Sequence, residues 1–202
     1  MNDQIKEKKI IFDILKSNLK IIITFILLIL ISISVYTWTD KKENKKRENL
    51  SEKYIDAKIL LSEKKDIEAL NILKEVIKKK DTTYSVLSLY LIIDRELEKN
   101  ETKILGYFNQ VISISGLKKD DLDLLKFKKA IFISNKSTEN EILELLNPII
   151  NSESVWKTQA LKFLADFYFS KKEFNKADQY YLQLLNLQNS NLNKKEIEQK
   201  IK

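Results

Sequence analysis

Nineteen consecutive residues without a charge, Ile21 to Thr39 (IIITFILLILISISVYTWT), constrain this chain more than any other feature. Lys20 fences them on one side, and Asp40, Lys41 and Lys42 on the other. A helix needs about 20 predominantly apolar residues to cross a hydrocarbon layer about 30 Å thick, so the stretch is long enough to span. Its polar members Thr24, Ser32, Ser34 and Thr37 can return their hydroxyl bonds to the backbone of the same helix and so do not forbid insertion. Tyr36 and Trp38 fall at the far end with Lys41 and Lys42 just beyond, the order expected where a span meets the headgroup layer. A cleaved signal peptide would carry an apolar core of about 7 to 15 residues and close on a small-x-small site. This stretch closes instead on bulky Val35-Tyr36-Thr37-Trp38. The expected organisation is a basic lead-in at 1–20, an uncleaved transmembrane helix at 21–39, a charged juxtamembrane connector at 40–49 and one further domain at 50–202.

Composition sets the class of that domain. Two Gly, one Pro and 32% charged residues favour helix over sheet. With no His and no Cys, disulfides, zinc sites with His or Cys ligands, thiol nucleophiles and His-based triads are excluded. The net charge of +7 is not a nucleic-acid signature, because acids and bases are interleaved and only Arg47 and Arg95 are arginines. The one dense basic run, Lys41, Lys42, Lys45, Lys46 and Arg47, lies where it would meet anionic headgroups. The lead-in, with Ile10, Ile11, Ile14 and Leu15 at helical spacing, is basic as well, so charge alone does not orient the span.

From Leu50 onward the apolar residues recur at helical spacing in blocks broken by polar clusters. The first block runs from Leu50 to Ser62, and Asp66 is placed to cap the second. Asp81-Thr82-Thr83 opens a third, reaching Leu97. Asn100 caps a fourth that stops at Gly116, a left-handed terminator. Asp120-Asp121 start a fifth reaching Ile133. Thr138-x-x-Glu141 is a capping box for a sixth, which Pro148 kinks or ends. Ser154 to Ser170 and Glu173 to Gln188 follow, and an amphiphilic piece, Leu192 to Ile201, would lie over the final groove as a cap.

Alternate blocks begin about 35 residues apart, the interval of stacked helix hairpins and close to the tetratricopeptide period. Ala57 and Ala69 stand twelve apart, as do Ala165 and Ala177. Small residues are needed where the two helices of a hairpin cross closely, and these four are the expected repeat-packing positions. In this layout, in the motifs of VWKTQALKFLADFYFSKKEFNKADQYYLQLL and across Lys53 to Val76, the chain resembles the tetratricopeptide-like proteins of the YfgM type, ancillary subunits of the bacterial Sec translocon. The resemblance implies an all-α fold: one transmembrane helix, then an α-solenoid of about four degenerate hairpins with a C-terminal capping helix. It also implies a bacterial inner-membrane location, with a cytoplasmic N-terminus and a periplasmic repeat domain. The implied partners are translocon subunits, periplasmic chaperones or secreted clients. From composition and charge, no nucleic acid, cofactor, metal or small-molecule substrate is expected.

No constellation points to catalysis. The Ser-x-x-Lys pairs at Ser17, Ser62, Ser115 and Ser154 are what a lysine-rich chain produces by chance, and no SDN or KTG partner accompanies them. Asp120, Asp121 and Asp123 lack the glycine and loop length that calcium demands and sit where a helix start favours negative charge. A carboxylate clamp is disfavoured because its register places Asp166 beside Lys162. The aromatic cluster around Trp156, Phe163 and Phe174 is expected to be mostly core, with Tyr168, Phe169 and Tyr180 as the members facing a client. The expected function is therefore that of a non-enzymatic, membrane-anchored adaptor or chaperone-like subunit. The alternative is a structural scaffold or assembly factor with one fixed partner.

Overall fold

The computed structural model describes residues 18–187 and 197–201. The lead-in up to residue 17, and residues 192–196 of the expected terminal helix, lie outside the described residues. Those described form eight helices and no strands: α1 (Leu19–Ser62), α2 (Asp66–Lys78), α3 (Tyr84–Asp94), α4 (Glu101–Ile112), α5 (Lys119–Ile133), α6 (Glu139–Ile150), α7 (Lys157–Ser170) and α8 (Phe174–Leu185). The chain divides into two compact units, Met1–Glu52 and Lys53–Lys202.

The first unit contains most of α1. Its apolar stretch is long enough to cross a membrane, and none of it is buried inside the protein. Thr24, Ser32 and Ser34 each donate their hydroxyl to the carbonyl four residues earlier, at 2.8 to 2.9 Å, and Thr37 donates to Ser34 O at 3.0 Å. The hydroxyls are thus satisfied inside the helix, as read from the sequence. Residues 40–49, the expected connector, continue the same helix without interruption.

The second unit packs its helices in sequence, each against the next, with α2 also touching α4. Two apolar clusters form its core. One gathers Ala57, Ala69, Leu73, Leu89, Ile92, Phe108 and Leu125; the other gathers Ala130, Ile142, Leu146, Leu161, Leu164, Ala165, Tyr168, Ala177 and Tyr181. All four alanines assigned to hairpin crossings are fully buried. A methyl at these points is what allows two helix backbones to approach closely.

Local chemistry sets the helix ends. The Asn100 side chain accepts from Lys103 N, and Thr138 with Glu141 forms the reciprocal capping box. Asp66 is not a cap: it is the first residue of α2, behind Lys65, and no side chain caps that end. The reason lies one turn upstream, where Lys64 is left-handed (φ 62°) and Lys65 N bonds to Leu60 O at 2.9 Å, so the chain swings directly into α2. Asp66 still favours the start through the helix dipole. The helix containing Pro148 runs two residues past it, to Ile150, because a proline in the last turn removes only one bond. The helices α3 and α4 end at Asp94 and Ile112, short of the expected Leu97 and Gly116, and Gly116 (φ 84°) instead turns the loop that leads into α5.

Candidate functional site

The aromatic-rich pair α7 and α8 carries the densest polar chemistry of the second unit. Tyr168, on α7, donates its phenol to Glu139 Oε1 at 2.8 Å, and Lys176, on α8, donates to both oxygens of Glu139 at 2.9 Å. Lys176 also pairs with Glu173 at 2.8 Å and lies 5.1 Å from the Tyr168 ring centre. Glu139 is the first residue of α6, so the network ties three helices together. The hydrogen bonds from Lys176 and then Tyr168 hold the Glu139 carboxyl below the usual carboxylate range. Burial, followed by the Glu139 hydrogen bond, pushes the Tyr168 phenol well above its ordinary value.

A second network surrounds Asp166. Its carboxylate accepts from Lys162 at 2.6 Å, from the Tyr181 phenol at 2.6 Å and from Lys200 at 3.1 Å. Burial raises the Asp166 carboxyl, but the bonds from Lys162, Tyr181 and Lys200 overcome it and leave the group below its ordinary value. Lys200 belongs to the described end of the expected terminal piece, where Ile197 is buried in the core and Ile201 packs on it. Lys162 and Asp166, the residues at the clamp register, are thus bonded to each other within the chain.

The three aromatics expected to face a client occupy different environments. Tyr168 is 1% exposed, stacked on Tyr180 at 5.5 Å between ring centres and met edge-on by Phe167. Its ring is enclosed, which removes it from any surface: a phenol whose hydroxyl reaches a carboxylate is free to bury the rest of its bulk. Tyr180 and Phe169 are half-buried, and Phe169 packs edge-on against Phe174 and Tyr181. Tyr36 and Trp38 are exposed on α1, with Lys42 Nζ 5.6 Å from the Trp38 ring; Lys41 is exposed beside them.

Glu139 and Lys176 escaped the sequence reading. Their only signal was opposite charge 37 positions apart, which has meaning only once the stacking of α6, α7 and α8 is known. Ser85 also escaped it. Fully buried, it accepts from Asp81 N at 3.0 Å and donates to Val76 O at 3.1 Å, joining the end of α2 to the start of α3. Among the described residues, no group of three or more acidic side chains is placed to hold a metal ion. Comparison of the chain with protein-family models, with curated proteins and with solved structures finds no match.

Proposed function

We propose that this protein is a single-span membrane protein whose helical domain binds other polypeptides, as an adaptor or chaperone-like subunit beside the secretion channel. The observation that carries the reading is α1, whose apolar stretch finds no protein cover and is covered most economically by lipid. The tetratricopeptide-like character of that domain is supported by a recurrent turn. Seven residues after Ala57, Leu89 and Ala165 stand Lys64, Glu96 and Lys172, each left-handed. Placement in the bacterial inner membrane with a periplasmic domain rests on the resemblance of the α7 and α8 segment to the ancillary translocon subunits.

Anchoring supplies the mechanism. A domain confined to the membrane surface meets a chain emerging there at high effective concentration, so weak contacts suffice to hold it. Phe169 and Tyr180, both half-buried, are the aromatics assigned to such contact.

The test is a photocrosslinker placed at Tyr180, together with a reporter fused after Lys202 that is active only in the periplasm. Periplasmic reporter activity and many substoichiometric crosslinked chains are the expected result. One stoichiometric partner would make the protein a scaffold, and a cytoplasmic C-terminus would defeat the translocon assignment.

A further inference from the structure

The helix α1 does not stop where its charge-free stretch ends: residues 40–49 are helical and exposed. At about 3.6 residues per turn, Lys41, Lys42, Lys45 and Lys46 then share one side of the helix, within about 140° of its circumference, with Trp38 near the middle of that arc. Asp40, Glu43, Asn44 and Arg47 fall on the opposite side, where Asn44 donates to Asp40 Oδ2 at 3.0 Å. A loop would let the interleaved acids fold back onto these lysines, whereas the helix separates them. None of the four lysines is ion-paired among the described residues. Lys42 instead has its Nζ 5.6 Å from the Trp38 ring centre. Lys41 and Lys45, like Lys42 and Lys46, stand four apart, a spacing at which like charges destabilise a helix unless a counter-charge is supplied.

Position selects the counter-charge. With a rise of about 1.5 Å per residue, the lysines stand about 3 to 11 Å beyond Thr39 along the helix axis, and the headgroup layer of each leaflet is about 5 to 8 Å deep. Lysine stems are long enough to bend a charge back into that layer, and tryptophan is a ring type that settles there. Lipid phosphates are therefore at hand wherever the stretch spans, whereas a soluble acidic segment would have to displace them. Lysine meets phosphate as a point charge rather than a fork, so such a face discriminates by charge and not by headgroup shape. We propose that Trp38, Lys41, Lys42, Lys45 and Lys46 form a one-sided docking face for anionic phospholipids of the bilayer that α1 crosses. The inference rests on the single-span reading above and names the lipid partner of the span.

The experiment places the full chain in mixed bilayers of phosphatidylcholine and phosphatidylglycerol, one of the two brominated near the headgroup end of its acyl chains. Quenching of Trp38 fluorescence is read, with Trp38→Phe supplying the background from Trp156. Phosphatidylglycerol should occupy the surroundings of Trp38 with about fivefold preference, the factor one lysine contributes at an anionic surface. The preference should vanish at about 1 M salt, where the Debye length is about 3 Å. It should vanish also in the quadruple variant Lys41→Gln, Lys42→Gln, Lys45→Gln and Lys46→Gln. A second quadruple variant, Lys58→Gln, Lys78→Gln, Lys79→Gln and Lys99→Gln, removes the same charge from exposed positions elsewhere and should retain the preference. Equal quenching by the two lipids in the wild type overturns the docking face and leaves the span standing. So does a preference that survives in the first variant or is lost in the second. No quenching of Trp38 by either lipid defeats the span itself, and the docking face with it.

Discussion

Glu139 shows how one side chain serves several elements at once. It opens α6, accepts the phenol of Tyr168 from α7 and is gripped by Lys176 from α8. Its folded carboxyl titrates below the ordinary value, as does that of Asp166. A carboxyl with a depressed folded pKa contributes stability that is complete above the unfolded value, near pH 4, and is lost as pH falls through the folded one. Thermal melts of the full chain should therefore be level around neutral pH and decline on acidification below about pH 4. In Glu139→Gln the melting temperature at pH 7 should fall by about 2 °C, since a partly exposed pair is worth little, and the acid decline should be shallower. An unchanged acid profile in that variant would show that Glu139 does not contribute to it.

At the scale of the helix, the ends carry a lesson that glycine content conceals. Only two glycines occur in the chain, yet four helices close through a left-handed residue: Lys64, Lys80, Glu96 and Lys172. At three of them the bonds of a Schellman turn are complete. Lys65 N reaches Leu60 O, Leu97 N reaches Ile92 O and Glu173 N reaches Tyr168 O, at 2.9 to 3.0 Å. After Lys80 the outer bond is replaced by the Ser85 bridge. A side chain in this conformation is strained by about 1 kcal/mol or more relative to glycine, partly offset by the freedom glycine adds to the unfolded chain. Lys64→Gly, Glu96→Gly and Lys172→Gly should each raise stability by roughly 0.5 to 1 kcal/mol, read from denaturant or thermal unfolding. A loss of stability in all three would refute the strain. The same ends set the spacing within each helix pair: α4 begins at Glu101, well after Glu96, whereas α2 and α8 begin two residues past Lys64 and Lys172. The longer connection breaks the twelve-residue alanine spacing that marked the first and last pairs.

At the scale of the whole molecule, the proposed membrane anchorage rests on the apolar stretch of α1. Large exposed apolar runs are not tolerated in water, and none of this one is covered by the chain. The full chain should remain in the membrane pellet after an alkaline wash, and its intact mass should be that of the uncleaved sequence. Release into the supernatant at a mass lacking the chain up to the end of the charge-free stretch near Thr39 would identify a removed leader and end the anchor reading.

Much of this protein was legible without coordinates, because its strongest determinants are local. A charge-free run, apolar residues at helical spacing, and caps such as Asn100 and the Thr138 and Glu141 pair each act within a few residues. So do the two alanine pairs, whose size permits a close crossing whatever surrounds it. Tertiary structure decided what depends on partners from other helices. It turned Tyr168 inward, left Asp66 uncapping behind a left-handed Lys64, and committed Asp166 to Tyr181 and Lys200. Side chains one helix apart in space are 15 to 37 positions apart in sequence here, and no local pattern carries information over that separation until the helices have packed.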